Sequence, residues 1–246
     1  MNTLVNKTAL VTGGSRGIGA AIVKRLAAEG ADVAFTYVSA KDEAEALVKE
    51  VESTGRKALA LQANAADADA VKGAVDATAA KFGKIDILVN NAGIGIMGAL
   101  DQLTLDDFDK TFNINVRALF VGIKQAVKYM ATGGRIINIG STNATRMPFE
   151  GGAIYAASKA AVQGLTLGLS RDFGPQGITI NNLQPGPINT DMNPENGPFA
   201  DFLRTQLPVG RYAQPDEVAA FTAFLAGPEA GYITGASLNI DGGFKG

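Results

Sequence analysis

Short β-branched apolar runs alternate with helix-periodic stretches along almost the whole chain, and that order leaves little beyond a parallel sheet with helices packed on its faces. The first unit reads as a strand over Lys7–Thr12, a glycine loop, and a helix from Gly17 that places Ile18, Ala21, Ile22, Leu26 and Ala27 at helical spacing. The same reading predicts strands over Asp32–Val38, Lys57–Gln62, Ile85–Val89, Arg135–Ile139, Ile178–Leu183 and Ala236–Ile240. Helices are expected over Asp42–Ser53, Asp67–Phe82, Leu105–Met130, Gly152–Phe173 and Pro215–Ala226. Right-handed crossovers wind such units into one doubly wound α/β domain over residues 1–246, with about seven parallel strands. No repeat, low-complexity tract or composition break divides it.

A chain of 246 residues that is 46% hydrophobic and 19% charged can bury a sizeable core. The absence of His and Cys removes Ser-His-Asp and Cys-His nucleophiles, thiol chemistry, disulfides and zinc sites of those ligands. Only carboxylate-bound ions remain as a metal option, and no metal site is expected. A net charge of −2 gives no general attraction to nucleic acid or anionic membrane. Residues 1–10 lack a secretory pattern, and no apolar run reaches the roughly 18 to 20 residues of a membrane span, so a cytoplasmic protein is expected.

In a doubly wound sheet the ligand lies outside the carboxyl ends of the strands. There, Thr12-Gly-Gly-Ser-Arg-Gly-Ile-Gly19 joins the first strand to the first helix, and Gly13, Gly17 and Gly19 would let a pyrophosphate approach backbone amides. A plain tight turn is the other reading of such a loop. The second strand ends at Thr36-Tyr-Val-Ser39, without the acid that binds the ribose 2′-hydroxyl of NAD. Arg16 and Lys41 can instead face a 2′-phosphate, which predicts NADP(H) as cofactor. Asn90-Asn-Ala-Gly93 follows the fourth strand as either a cofactor-facing turn or a simple cap. Tyr155 and Lys159 sit one helical turn apart, where an ammonium has the right charge to lower a phenol pKa. Ser141, with Thr142 as its neighbour, follows a strand end and can donate to a carbonyl oxygen. Asn115 is a poor helix former in mid-helix. A Pro- and Gly-rich stretch places a substrate loop or lid at about residues 189–208.

Taken in order, Thr12-Gly13-x-x-x-Gly17-x-Gly19, Asn90-Asn91-Ala92-Gly93, Asn115, Ser141, Tyr155-x-x-x-Lys159, Pro185-Gly186 and Thr190 resemble the short-chain dehydrogenases/reductases over essentially the whole chain. The resemblance implies a Rossmann fold in which Tyr155 is the general acid of reduction and Lys159 lowers its pKa. It further implies that Ser141 binds the substrate oxygen and that Asn115 positions a water relaying protons to Lys159. Gly13, Gly17, Gly19 and Thr190 would line the dinucleotide phosphates, Arg16 the basic loop position, Asn64 the adenine, Asn90 the adenosine ribose side and Ile188 the nicotinamide amide. Ser15, Ile18, Tyr37, Ala92, Gly93, Pro185 and Gly186 would complete that site with Tyr155 and Lys159.

Three departures stand out. The interval from Ser141 to Tyr155 is one residue longer than is common, Asn64 replaces an Asp, and Phe173-Gly-Pro-Gln-Gly177 lacks a base that 3-oxoacyl-carrier-protein reductases often show their acidic partner. The expected activity is NADPH-dependent reduction of a ketone, either a 3-oxoacyl thioester or a small carbonyl compound, to an alcohol. Met192, Phe199, Phe202 and Leu203 would form an apolar wall. The alternative is a regulatory protein that binds a dinucleotide or cyclic dinucleotide without turnover. The resemblance also implies a homotetramer.

Overall fold

The computed structural model describes residues 2–246. Its seven strands are β1 (Thr8–Val11), β2 (Asp32–Tyr37), β3 (Ala58–Gln62), β4 (Ile87–Asn90), β5 (Arg135–Ile139), β6 (Thr179–Pro185) and β7 (Ser237–Ile240). They form one sheet in the order β3-β2-β1-β4-β5-β6-β7, and every pairing is parallel. The order reverses between β1 and β4, so the crevice at their carboxyl ends lies at a topological switch point.

Alternation within the strands feeds two cores. Val11, Phe35, Val89 and Ile137 face one side of the sheet, against α1 (Gly17–Ala28), α2 (Lys41–Ser53) and α8 (Pro215–Ala226). Leu10, Ala34, Leu88 and Ile136 face the other, against α3 (Ala68–Phe82), α5 (Ala118–Ala126) and α6 (Ala153–Phe173). With both faces covered, the central strands β1 and β4 read as nearly continuous apolar runs, whereas β6 buries three amides. Helix ends are set locally: the Asp67 carboxylate caps α3, whose C-cap Gly83 adopts φ +85°, and Thr104 with Asp107 forms a capping box for α4 (Leu105–Phe112).

The helix expected over Leu105–Met130 is not uniform. Between α4 and α5, residues Asn113–Arg117 form a π-turn, and Val127–Tyr129 tighten into a 3-10 turn. Inserting a π-turn rotates the following face, which turns Asn115 inward to a buried position. The loop expected over about residues 189–208 holds a short helix, α7 (Ala200–Thr205), that its Pro and Gly content conceals in the sequence. Ala200, Leu203 and Leu207 from this segment pack against Tyr212 and Phe244. No helix among the described residues is long and apolar enough to cross a membrane.

Candidate active site

Backbone sterics build the glycine loop. Gly13 and Gly17 adopt φ +64° and +55°, left-handed values that favour glycine. At Gly19 the reason is space: a Cβ there would lie 2.1 Å from the Gly13 carbonyl oxygen and 2.6 Å from Asn91 Nδ2. Three side chains hold the loop. Asn91 Nδ2 donates to the carbonyls of Thr12 and Gly13 at 3.0 and 2.9 Å, Thr12 Oγ1 accepts from the amides of Asn91 and Ala92, and Thr36 Oγ1 accepts from the Gly13 amide. The first turn of α1 carries no acid and its N-cap, Arg16, makes no side-chain cap. The result is a set of unobstructed amides at a positive helix end, suited to a phosphate.

Around this cradle, Ser15 and Ile18 lie in the loop and first turn, Tyr37 ends β2, and Asn64 follows β3 with its Oδ1 accepting from the Ala66 amide. Arg16 is exposed and reaches Asp191 of the loop after β6 at 3.8 Å, while Lys41 reaches Glu45 at 3.6 Å. Thr190 borders Gly17, Ile188 is buried and bridges to Ala213, and Gly186 passes so close to Asp241 that a Cβ would meet its Cα at 2.8 Å. Pro185 closes β6. Asn90 turns into the sheet, where its amide donates to Asn138 Oδ1 at 2.8 Å, so its side chain braces β4 against β5.

Tyr155 and Lys159 both project from the first two turns of α6, and Ser141 stands just beyond β5. Lys159 is buried, and its ammonium donates to the Ile139 carbonyl at 3.0 Å, 5.8 Å from the centre of the Tyr155 ring. Burial lowers the Lys159 pKa to about 8. Burial also pushes the Tyr155 phenol above its ordinary value, against a smaller downward pull from its hydrogen bond with Ser141. The depression expected from Lys159 is therefore not the balance here, because loss of water disfavours the phenolate and the nearby ammonium is itself bound to a carbonyl. Ser141 Oγ accepts from the Asn143 amide at 3.1 Å, which leaves its proton free to be donated elsewhere.

Asn115 has both amide hydrogens engaged. They go to the Ile94 carbonyl at 2.9 Å and Ser158 Oγ at 3.0 Å, while Oδ1 accepts from the Ile94 amide. Ser158 in turn donates to the Tyr155 carbonyl at 2.7 Å. Asn115 thus ties the Ala92–Ile94 turn to the helix that carries Tyr155; its side-chain amide is a brace, with no hydrogen left to donate to the expected water. Gly93 fits the same junction, since a Cβ there would lie 3.3 Å from Asn115 Oδ1 and 3.5 Å from Lys159 Nζ. Ser158 and Gln184 were not singled out in the sequence. A signal was available for Gln184, one of three amides between apolar residues in the β6 segment.

The loops after β4, β5 and β6 meet above these groups. Gly98 and Gly151 share a backbone hydrogen bond of 3.0 Å, and Arg146 donates to Gln206 at 2.9 Å while lying over the Phe244 ring. These loops expose apolar side chains, Met97, Leu100, Phe149, Met192, Phe199 and Phe202, among acidic ones.

A family profile described as Enoyl-(Acyl carrier protein) reductase matches residues 13–245. Among curated relatives, the cyclic-di-GMP-binding biofilm dispersal mediator protein of Escherichia coli is 51% identical over 244 residues, covering 99% of each chain. A 3-oxoacyl-(acyl-carrier-protein) reductase of Staphylococcus aureus is 40% identical over 243 residues, covering 97% of this chain and 98% of its own. A short-chain dehydrogenase of Burkholderia cenocepacia, crystallised in complex with NADP, is 54% identical with a TM-score of 0.98, covering 99% of this chain and 100% of its own.

Proposed function

Because the chain belongs to the short-chain dehydrogenase/reductase family, we propose that it is an NADPH-dependent reductase that converts a ketone to an alcohol. The observation that carries this reading is the convergence of Tyr155, Ser141 and Lys159 beside the glycine cradle, with Asn115 locking the turn between them. The cradle fits a dinucleotide, since the uncapped start of α1 leaves its first-turn amides without a side-chain partner and the glycines at 17 and 19 keep side chains out of the approach. Gly13, Gly17, Gly19 and Thr190 would hold the phosphates, Arg16 the 2′-phosphate, and Lys159 and Ile188 the nicotinamide end. When bound, the reduced cofactor supplies the hydride.

The chain's own residues supply the rest. Ser141 donates its free proton to the substrate carbonyl oxygen and fixes its place. Tyr155 gives its proton to the same oxygen as the bond order falls. Its raised pKa keeps that proton in place through the neutral range. Lys159, near pH 8, exchanges a proton under mild conditions and holds positive charge beside the phenol.

The rim points to a small, uncharged ketone rather than a carrier-bound acyl chain. Asp101, Glu150, Asp191, Glu195 and Asp201 lie on the three rim loops, against Arg146, Arg204 and Arg211. All three guanidiniums are engaged within the protein, Arg204 with Asp201 at 2.7 Å and Arg211 with Glu217 at 2.8 Å. An acidic carrier protein would meet repulsion there. Exposed Leu105, Phe120 and Leu167 along α4, α5 and α6 support a homotetramer built on these helices. A cytoplasmic location belongs to the same reading.

The relationship to the Escherichia coli protein favours a second reading, in which the cradle binds a cyclic dinucleotide as a signal. Tyr155→Phe separates the two: loss of ketone turnover by about a thousandfold with NADPH binding retained supports the reductase. A fully active variant overturns the mechanism.

A further inference from the structure

Strand β6 carries three buried amides, and two of them, Asn182 and Gln184, contact the chain as it leaves β5. Asn182 lies against Gly140, where a Cβ would come within 2.3 Å of its Oδ1. Gln184 Nε2 donates to the main-chain oxygen of Ser141 at 3.0 Å. Between them the Gly140 amide donates to the Leu183 carbonyl at 2.7 Å, and Thr142 Oγ1 donates to the Pro185 carbonyl at 3.2 Å. Strand β6 thus grips residues 140–142, just after the Ile139 carbonyl that receives Lys159.

The orientation of Gln184 is dictated by this contact. Only its NH2 edge can meet a carbonyl, so Oε1 points away, and there it has no donor among the described residues. An unpartnered buried acceptor costs on the order of 1–3 kcal/mol, a penalty that an apolar side chain of the same length avoids. Stability alone therefore does not account for an amide at this position. The one bond it makes is to the residue whose hydroxyl faces Tyr155.

Resting on the reductase reading, we infer that Gln184 is a positioning residue: by holding the Ser141 carbonyl it aims the Ser141 hydroxyl at the Tyr155 phenol and the substrate oxygen. The linkage is directional. The Ser141 hydrogen bond draws the Tyr155 pKa down, so a loosened Ser141 lets burial push it further up. Lys159 is the charged group facing the ring, and Gly95 brings only backbone to it.

The test is Gln184→Met in the full chain, which keeps length and volume but removes both the donor and the orphaned acceptor. Ketone reduction is expected to fall about tenfold in kcat, with KM for NADPH within about twofold and no loss of Tm. Tyrosinate absorbance, taken as the difference between each protein and its Tyr155→Phe partner, is expected to appear at higher pH in the variant than in the parent. In a Ser141→Ala background the same change is expected to have no further effect on kcat. Wild-type kcat with an unmoved titration overturns the inference, and so does an equal loss in the Ser141→Ala background, which marks a purely structural role. Gln184→Leu is the second variant should Met destabilise the fold. If the parent reduces no ketone, the reductase reading fails, while the Tyr155 titration still decides the role of Gln184.

Discussion

The glycine cradle and the Ser141–Tyr155–Lys159 cluster lie at the same ends of one sheet, yet they are built by opposite means. The cradle is shaped by what is missing: Gly19 has no room for a Cβ and Gly13 needs a left-handed backbone. The cluster is shaped by buried polar side chains that each complete a bond from a distant segment, as Asn115 does for Ile94 and Gln184 for Ser141. Sterics and neutral hydrogen bonds from Thr12, Thr36 and Asn91 preorganise the first, so its shape carries no titrating group. The second depends on hydrogen bonds and a buried charge, so it is where pH and conservative substitutions act.

On cofactor binding, the largest expected effect falls on the cradle. Gly19→Ala places a methyl 2.1 Å from the Gly13 carbonyl, and the forced shift is expected to weaken NADPH binding about a hundredfold, as isothermal titration would read. Binding within a few-fold of wild type would break the contrast.

Lys159→Met probes the other side. It is expected to lower ketone reduction about a hundredfold at pH 7 and, unlike Gly19→Ala, to stabilise the fold there. Burial depresses the folded pKa to about 8, below the unfolded 10.5, so the unfolded chain binds the proton more tightly. The penalty of burying the charge is in full force below pH 8, and it is relieved as pH rises from 8 to 10.5. Denaturant unfolding is therefore expected to show a gain of about 3 kcal/mol for the variant at pH 7 that vanishes near pH 10.5. In the parent, kcat/KM for reduction is expected to decline above about pH 8, following Lys159 rather than Tyr155.

A smaller loss, about 1–3 kcal/mol in thermal or denaturant unfolding, is expected for Asn115→Ala, because Ile94 and Ser158 lose their partners. The smallest is Arg16→Ala. Its guanidinium is exposed, so NADPH binding is expected to weaken about fivefold, less at high salt, with NADH unchanged.

This contrast also explains what could be read from the sequence. Glycine loops are local, so Thr12–Gly19 and its place after β1 were legible, as was the strand–helix order that yields seven parallel strands. Tyr155 and Lys159 share one helix and could be paired by spacing alone. The π-turn around Asn115 was not legible, because the partners that Asn115 meets there, Ile94 and Ser158, are 21 and 43 residues away in the chain. Nor was the grip of Gln184 on Ser141, which joins residues 43 apart in the chain. Asn90 shows the reverse case: its motif was plain, but only the neighbouring Asn138 reveals that the side chain serves the sheet.

The most direct measurement is the consumption of NADPH and, separately, NADH by the purified protein with a panel running from an acetoacetyl thioester to small alkyl and aryl ketones. Turnover with NADPH preferred, fastest on an uncharged ketone, is the predicted result. Tight NADPH binding with no turnover of any ketone would contradict it and leave the signal-binding reading in its place.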